Sequence, residues 1–346
     1  MTNQKNIDKG NLRQVIIDSP KQFEQGFNLA KKVRPAVGKS KAHLKFSSLV
    51  VSGMGGSALP ADILKIYLRS LHQKNPRKNP LISISANRFY SLPYEAYENC
   101  LNFFASYSGN TEETISSLKE AIRHKLPSVA FTTGGQLEKI CKKYEVPCVI
   151  LPKGIEPRYA TGYFFSSMLQ VLINSGLAED QTKELLAESQ KLKKNVLKIE
   201  LKSRKIAKSL IGKVPVVYSS AQFQAVAMIW KIKLNESAKT PAFYNYFPEL
   251  NHNEMSGFTN PKHKYQIITL LDKNDHPQNI KRMHITAKIL KPMGVNTIIV
   301  EMEGKNIFET IFSTLLLGDW VSYHLALAYG QDPTPVKMVD DFKKLL

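Results

Sequence analysis

The chain has 346 residues, of which 43% are hydrophobic and 22% are charged. These values are typical of a globular protein, and the length exceeds one ordinary compact core and predicts two domains. The N-terminus MTNQKNIDKGNLRQ is polar and predicts no signal peptide, and no segment reaches the roughly 20 apolar residues that a membrane span needs. We therefore expect a cytoplasmic protein without a membrane partner.

The formal net charge of +19 raises the question of nucleic-acid binding. The lysines, however, alternate with acidic residues along helical stretches such as KELLAESQKLKKNVLKIELKSRKIAKSL, which is typical of a solvated helix face. We therefore expect no nucleic-acid partner. Cys100, Cys141 and Cys148 have spacings that fit no zinc motif and are interpreted as free thiols in a reducing compartment.

Short apolar runs alternate with helical stretches in the first half of the chain. Uninterrupted apolar strands separated by helices predict a parallel sheet that is covered on both faces. The predicted strands are 46–52, 81–85, 101–105, 129–133 and 148–151, and the predicted helices are 58–69, 111–125, 136–144 and 159–172.

A second alternation begins near residue 214, after a Lys/Glu/Leu-rich helical segment at 179–210. Its predicted strands are 216–219, 267–271 and 297–300, and its predicted helices are 221–232, 280–290 and 308–329. The fold class is therefore α/β, with two domains that each hold a parallel sheet flanked by helices, a three-layer α/β/α sandwich. We assign 1–176 to N-terminal helices and the first domain, 177–212 to a helical connector, and 213–346 to the second domain with a C-terminal helix.

The segment LVVSGMGGSALPADIL joins the first strand to a helix through a glycine turn. Gly55 and Gly56 allow the backbone to approach a ligand, and the helix start offers N–H groups to an anion. A dinucleotide site is one interpretation, because the turn satisfies the pattern G-x-G-x-x-G/A up to Ala58. The acidic residue expected about 20 positions on is missing, although Arg88 would suit a 2′-phosphate. A tight turn that only packs the helix is the other interpretation.

The third strand runs into the sequence FFASYSGNTEETISSL. Ser106, Ser108 and Thr111 place three hydroxyls on one strand-to-helix turn, and Gly109 gives that turn backbone freedom. Hydroxyls and exposed helix N–H groups together form a cage for a phosphate dianion. Helix capping is the alternative, but capping needs one such residue and not three around a glycine. A second anion loop in one sheet favours a monophosphate over a dinucleotide.

These motifs together resemble the sugar isomerase (SIS) fold and, within it, the bifunctional phosphoglucose/phosphomannose isomerases. The resemblance covers nearly the whole chain. It implies an enzyme that interconverts fructose 6-phosphate with glucose 6-phosphate, mannose 6-phosphate or both by proton transfer through a cis-enediol, without a cofactor or a metal. The segments that carry it are GMGGS, SYSGNTEET, EPRYA, NESAKTP, FPELNHNE and DPTP, in this order.

Two residues of the second domain are predicted to transfer protons. Glu236 stands at the end of an apolar helix, and the family's general base falls on it. His252 lies in a polar run, suits proton transfer to the ring oxygen near neutral pH, and has Glu249 and Glu254 nearby to orient it. Two glutamates and a histidine would also suit a metal, but further ligands are not found nearby in the sequence and the family's route needs none.

The remaining site residues bind substrate or stabilise charge. Arg158, at a loop-to-helix junction, would face the substrate oxygens at C1 and C2 and stabilise the enediolate. The resemblance also places a lysine of the last helix near the substrate, which we assign to Lys343, with Lys337 and Lys344 as alternatives. The predicted phosphate-binding set is Gly55, Gly56, Ser57, Ser106, Ser108 and Thr111.

Two other functions compete with the isomerase. A non-catalytic phosphosugar-binding protein of the same fold would need only the phosphate cage, and Glu236 with His252 would then have no purpose. An NADP-dependent oxidoreductase would use the first loop and Arg88, and the second loop argues against it. The resemblance further implies a homodimer, in which His252 completes the active site of the neighbouring subunit. The apolar helix at 308–329 would suit a subunit interface or a domain core.

Overall fold

The structure, a computed structural model, describes residues 7–35 and 46–345. The chain divides into two compact units, which we call the N-terminal unit, Asp18–Lys191, and the C-terminal unit, Met1–Ile17 with Leu192–Leu346. Helix α1 (Leu12–Asp18) comes first in the described chain. Residues 1–6, which begin the polar stretch behind the expectation of no signal peptide, lie outside the described residues.

The N-terminal unit is built on a five-stranded parallel sheet in the order β2-β1-β3-β4-β5. Strands β3 and β4 are buried along their whole length, as expected for central strands of a sheet with helices on both faces. The strands are β1 (Ser48–Gly53), β2 (Ser83–Asn87), β3 (Cys100–Ser106), β4 (Ser128–Thr132) and β5 (Cys148–Ile150), and the helices are α2 (Lys21–Ala30), α3 (Leu59–Lys74), α4 (Glu112–Arg123), α5 (Gly135–Lys143) and α6 (Thr161–Asn174).

The C-terminal unit holds a four-stranded parallel sheet in the order β7-β6-β8-β9. The long helix α7 (Thr182–Leu210) runs through the division between the two units. The strands are β6 (Val214–Ser220), β7 (Phe243–Phe247), β8 (Tyr265–Leu271) and β9 (Asn296–Glu301), and the other helices are α8 (Gln224–Glu236), α9 (Pro277–Leu290), α10 (Ile307–Ala328) and α11 (Lys337–Leu345). The predicted α/β fold with two parallel sheets is confirmed.

Helices α8 and α9 cover opposite faces of the second sheet. The chain moves from β6 outward to β7 through α8, and from β8 outward in the other direction to β9 through α9. Right-handed crossovers in opposite directions place their helices on opposite faces. On the α9 face, Met283 packs in one cluster with Tyr218 and Leu250. Helix α8 instead contacts α10, where Trp230 Nε1 donates to the Thr314 carbonyl at 2.9 Å.

The compact units differ from the predicted domains at their boundaries. The described residues 7–17 belong to the C-terminal unit, whereas we predict them with the first domain, and α7 contributes to both units instead of standing apart as a connector. Tyr323 donates to the Asp8 carboxylate at 3.2 Å, and Arg13 pairs at 2.7 Å with Glu200, whose side chain is 4% exposed. These partners lie far apart in sequence, so local patterns cannot indicate them.

All predicted strands are present, with their ends shifted by at most two residues. Strand β7 has no counterpart among them. It is an edge strand between two prolines, with Phe243 55% and Tyr244 38% exposed. Its sequence FYNYF is interrupted by Asn245 and so lacks the apolar continuity of a buried strand.

Helix α10 corrects one expectation from the sequence. Its 22 residues are long and apolar enough to cross a membrane, by length and composition only. Inside the protein, however, 78% of its most apolar stretch is buried, and one such helix is weak evidence for a span. Its apolar surface on several sides is explained by packing around it, since Trp320, Val321 and Tyr323 are at most 1% exposed.

Candidate active site

The two predicted anion loops lie side by side in the N-terminal unit. They follow β1 and β3, which are adjacent strands, and Gly53 at the end of β1 pairs with Ala105 near the end of β3. The chain leaves β1 towards β2 on one side and continues from β3 to β4 on the other. The loops therefore meet at the topological switch point, where open α/β sheets bind ligands.

The hydroxyls of the second loop are held together within the loop. Ser106 is fully buried, and its Oγ lies 2.8 Å from Thr111 Oγ1 and accepts from the Gly109 N–H at 3.0 Å. Thr111 occupies the N-cap position of α4, yet its side chain makes no capping hydrogen bond. The capping interpretation is thus disfavoured, because the hydroxyl points to Ser106 instead. Ser108 is exposed on the same loop.

A hydrogen bond joins the first loop to the second. Ser57 is buried, and its Oγ accepts from the Tyr107 N–H at 3.0 Å. A hydroxyl that accepts in this way keeps its own hydrogen for donation. Ser57 therefore has the chemistry to donate to a phosphate oxygen beside the second loop.

Gly55 and Gly56 of the first loop require glycine for different structural reasons. Gly55 has φ +49° and no heavy atom within 4 Å of the place where a Cβ would stand, so it leaves open space for a ligand. A Cβ on Gly56 would lie 2.6 Å from the Arg158 backbone nitrogen. Gly56 is thus explained by packing against the protein itself, and substrate binding at Gly56 stays a prediction.

This packing brings Arg158 beside the first loop. Arg158 lies in the turn Pro157–Tyr159, and its side chain is only 1% exposed. Its guanidinium pairs with Glu156 at 3.2 Å and stands over the Tyr159 ring at 5.3 Å. The guanidinium is thus already engaged by a carboxylate, and its contact with the enediolate stays a prediction.

A third loop, absent from the predicted site, supports the second. It joins β4 to α5, and a Cβ on Gly109 (φ +71°) would collide with the Gly134 carbonyl oxygen at 1.8 Å. The Asn110 side chain accepts from the Gln136 N–H at 3.0 Å. Lys153 Nζ lies 3.4 Å from the point where a Cβ on Gly134 would stand, so this lysine brings a cation to the loop. The signal in the sequence is TTGG, which runs from the end of the predicted strand 129–133 up to the start of the predicted helix at 136.

Arg88 is not positioned as the oxidoreductase interpretation requires. Its Nη2 pairs with Asp62 Oδ2 on α3 at 2.6 Å. A guanidinium that is engaged by a carboxylate is a poor binding site for a 2′-phosphate, because the phosphate would have to displace the carboxylate. This observation weakens the NADP hypothesis further.

Glu236 and His252 lie on opposite faces of the second sheet. Glu236 is the last residue of α8 and is half-buried, and Lys239 Nζ donates to its carbonyl oxygen. His252 follows a short turn after β7 and is exposed, and the neighbouring Leu250 packs on the α9 face. The sheet therefore separates the two side chains within one C-terminal unit.

The two glutamates near His252 have other partners. Glu249 accepts from the Asn253 side chain at 2.7 Å, and Glu254 accepts from Tyr218 and Asn245. Direct orientation of the imidazole by either glutamate stays a prediction. Across the residues that the structure describes, no group of three or more His, Cys, Asp and Glu side chains is arranged to hold a metal ion.

Lys343 lies on α11, a helix without buried residues. Its neighbour Lys344 pairs with Asp341 at 3.2 Å, one turn earlier on the same helix. The contact between Lys343 and substrate stays a prediction.

Comparison with known proteins agrees with this architecture. A hypothetical protein from Thermus thermophilus superimposes with a TM-score of 0.71 at 14% identity, over 95% of this chain and 88% of that protein. Residues 199–346 match the family described as bacterial phospho-glucose isomerase C-terminal SIS domain. Two parallel sheets with equivalent strand orders and a hydroxyl-lined loop at the switch point define a sugar isomerase domain protein.

Relatives of known name narrow the class. A bifunctional phosphoglucose/phosphomannose isomerase of Caldicellulosiruptor bescii is 34% identical over 94% of this chain and 98% of its own length. Another, from Aquifex aeolicus, is 35% identical over 87% of this chain and 91% of its own length. The chain belongs to the family of bifunctional phosphoglucose/phosphomannose isomerases. The predicted family and enzyme class, a sugar-phosphate isomerase, are confirmed.

Proposed function

We propose that this enzyme interconverts fructose 6-phosphate with both glucose 6-phosphate and mannose 6-phosphate in the cytoplasm. The phosphate binds at Ser57, Ser106, Ser108 and Thr111. A base removes the proton from C1 or C2 of the open sugar, and the resulting cis-enediolate is planar at C2. Returning the proton to one face gives glucose 6-phosphate and to the other gives mannose 6-phosphate, so one site can serve both aldoses.

The observation that carries this proposal is the hydroxyl cluster of the second loop. Thr111 occupies an N-cap position without capping, and its hydroxyl shares a hydrogen bond with buried Ser106. The first turn of α4 thus keeps N–H groups for an anion, and the hydroxyls stand beside them. A monophosphate matches this arrangement in size and charge.

We assign Glu236 as the base that moves the proton between C1 and C2, Arg158 as the group that stabilises the enediolate, and His252 as the acid that opens the ring. The separation of Glu236 and His252 by a sheet supports a homodimer in which His252 acts in the neighbouring subunit's site. A two-fold dimer would then form two equivalent sites.

One assay tests the function. Purified protein is incubated with fructose 6-phosphate in a buffer that contains a metal chelator and no nicotinamide cofactor. Glucose 6-phosphate and mannose 6-phosphate are then quantified. We expect both to accumulate. If no product forms while fructose 6-phosphate still binds, the non-catalytic phosphosugar-binding protein is the correct alternative. Reduction of added NADP, together with formation of an oxidised sugar phosphate, would favour the oxidoreductase.

The double variant Ser108→Ala, Thr111→Ala is expected to raise KM for fructose 6-phosphate about 10²–10⁴-fold with little change in kcat. Hydrogen bonds to a charged phosphate contribute about 1.5–3 kcal/mol each, and they form in the ground state and the transition state alike. Steady-state kinetics measure both constants. Ser116→Ala, on the same helix and away from the loop, is the control and should behave like the wild type. Unchanged KM in the double variant would place the phosphate elsewhere.

A further inference from the structure

Three polar side chains meet on the α9 face of the second sheet. Tyr218 of β6 and Asn245 of β7 are direct partners in the strand register, so their side chains project from neighbouring positions on one face. The Tyr218 hydroxyl donates to Glu254 Oε1, and Asn245 Nδ2 donates to Glu254 Oε2. We call Tyr218, Asn245 and Glu254 the carboxylate clamp.

The clamp is a stable arrangement. Tyr218 is 1% exposed, and its burial and the nearby Glu254 carboxylate raise its pKa well above the usual range, so the phenol keeps its proton for donation. Hydrogen bonds to an ionised acceptor are stronger than those between neutral groups. Both oxygens of Glu254 are thus occupied by strand residues, and the backbone of Glu254 is tied to the sheet.

The clamp fixes one side of His252, and a second anchor fixes the other. Asn251 Nδ2 donates to Thr286 Oγ1 of α9 at 2.9 Å, and Leu250 is fully buried. Between these anchors, His252 and Asn253 are exposed. The backbone on both sides of His252 is therefore held, while its imidazole faces outward.

We propose that Tyr218, Asn245 and Glu254 are positioning residues for His252, which set the direction from which its imidazole reaches the sugar ring oxygen. This inference rests on the proposed role of His252 in ring opening. In that step the C2–O5 bond of the fructose 6-phosphate hemiketal breaks, O5 receives a proton, and the anomeric hydroxyl loses its proton as the C2 carbonyl forms. Misplacement by about 1 Å of a group that acts in such a step can cost about 100-fold in rate.

The effect of the clamp is expected only where a ring must be opened. In 5-deoxyfructose 6-phosphate, O5 is absent and O6 carries the phosphate, so this ketose cannot close a furanose or pyranose ring. It presents an open ketone to the base and needs no ring-opening acid. Exchange of the C1 proton with solvent deuterium, followed by NMR, reports turnover for both substrates in the same way.

The variants Tyr218→Phe and Glu254→Gln test the proposal. We expect about 10- to 100-fold slower C1 exchange with fructose 6-phosphate, unchanged KM, and exchange within about twofold of the wild type with the 5-deoxy analogue. Tyr244→Phe, on β7 but outside the clamp and 38% exposed, should match the wild type with both substrates. Thermal melting shows whether each variant folds. If Tyr218→Phe does not fold, Glu254→Gln provides the test.

Equal losses with both substrates would overturn the proposal, because the clamp would then have a general structural role. Wild-type rates with both substrates in folded variants would also overturn it. His252→Ala separates this failure from that of the proposed function. If His252→Ala loses exchange only with the cyclic substrate while the clamp variants behave like the wild type, ring opening by His252 stands and the clamp proposal fails. If His252→Ala exchanges both substrates at wild-type rates, the assigned role of His252 itself is wrong.

Discussion

Glu236→Gln is expected to lower kcat with fructose 6-phosphate by about 10²–10⁴-fold, the usual contribution of a general base. Glutamine has the same shape as glutamate but cannot take a proton from carbon at neutral pH. Glu236 is half-buried at the end of α8, whose packing rests on residues such as Trp230 and Leu234. The fold and KM should therefore stay close to those of the wild type.

Steady-state kinetics and thermal melting measure this effect. Glu301→Gln, an exposed glutamate at the end of β9, is the matched control and should keep wild-type kcat. A Glu236→Gln enzyme with near-normal turnover would remove Glu236 from the role of base. If Glu236→Gln melts at a much lower temperature than the control, Glu236→Asp replaces it as the test. Aspartate keeps the carboxylate but is one methylene shorter, so this variant should still lose kcat.

Mixing two inactive variants, Glu236→Gln and His252→Ala, is expected to restore about a quarter of wild-type activity. If His252 acts in the partner's site, a mixed dimer has one site with both defects and one with neither. Random exchange makes about half of the dimers mixed, and each of these has one intact site of two. Each variant alone should show about 1% of wild-type activity or less with the cyclic substrate.

The experiment requires subunit exchange, which two different affinity tags demonstrate by tandem purification. The purified mixed dimer should show about half of wild-type activity per dimer. Recovery near zero in mixed dimers would show that His252 and Glu236 serve the same site from one chain. The control mixes two preparations of Glu236→Gln, which should show no recovery.

Much of the fold can be predicted from the sequence because its signals are local. Central strands such as β3 are mostly apolar runs, and glycine turns mark the strand ends that bear the loops. Strand β7 is not among the predicted strands, because its aromatic run FYNYF is short, interrupted by Asn245 and bounded by Pro241 and Pro248. Because β7 is not predicted, the pairing of Asn245 with Tyr218 and the contact of both with Glu254 also cannot be predicted from the sequence.

The chemistry of the candidate site could be predicted only in part. Three hydroxyls around a glycine indicate an anion loop, but whether Thr111 caps its helix or turns to Ser106 depends on a side-chain rotamer. The sequence also cannot show that Gly56 packs against the Arg158 backbone, since the two are 102 residues apart along the chain (158 minus 56). Likewise, the placement of Glu236 and His252 on opposite faces of the second sheet follows from the crossover topology and not from their spacing in the sequence.

The most direct test of the account is the origin of the hydrogen at C2 of the aldose products. Fructose 6-phosphate is converted in deuterium oxide without cofactor or metal, and glucose 6-phosphate and mannose 6-phosphate are examined by NMR. Proton transfer through an enediol predicts solvent deuterium at C2 of both products, and Glu236→Gln should slow its appearance in step with kcat. Products that carry only protium at C2, formed at an undiminished rate, would indicate a direct hydride shift and contradict the proposed mechanism.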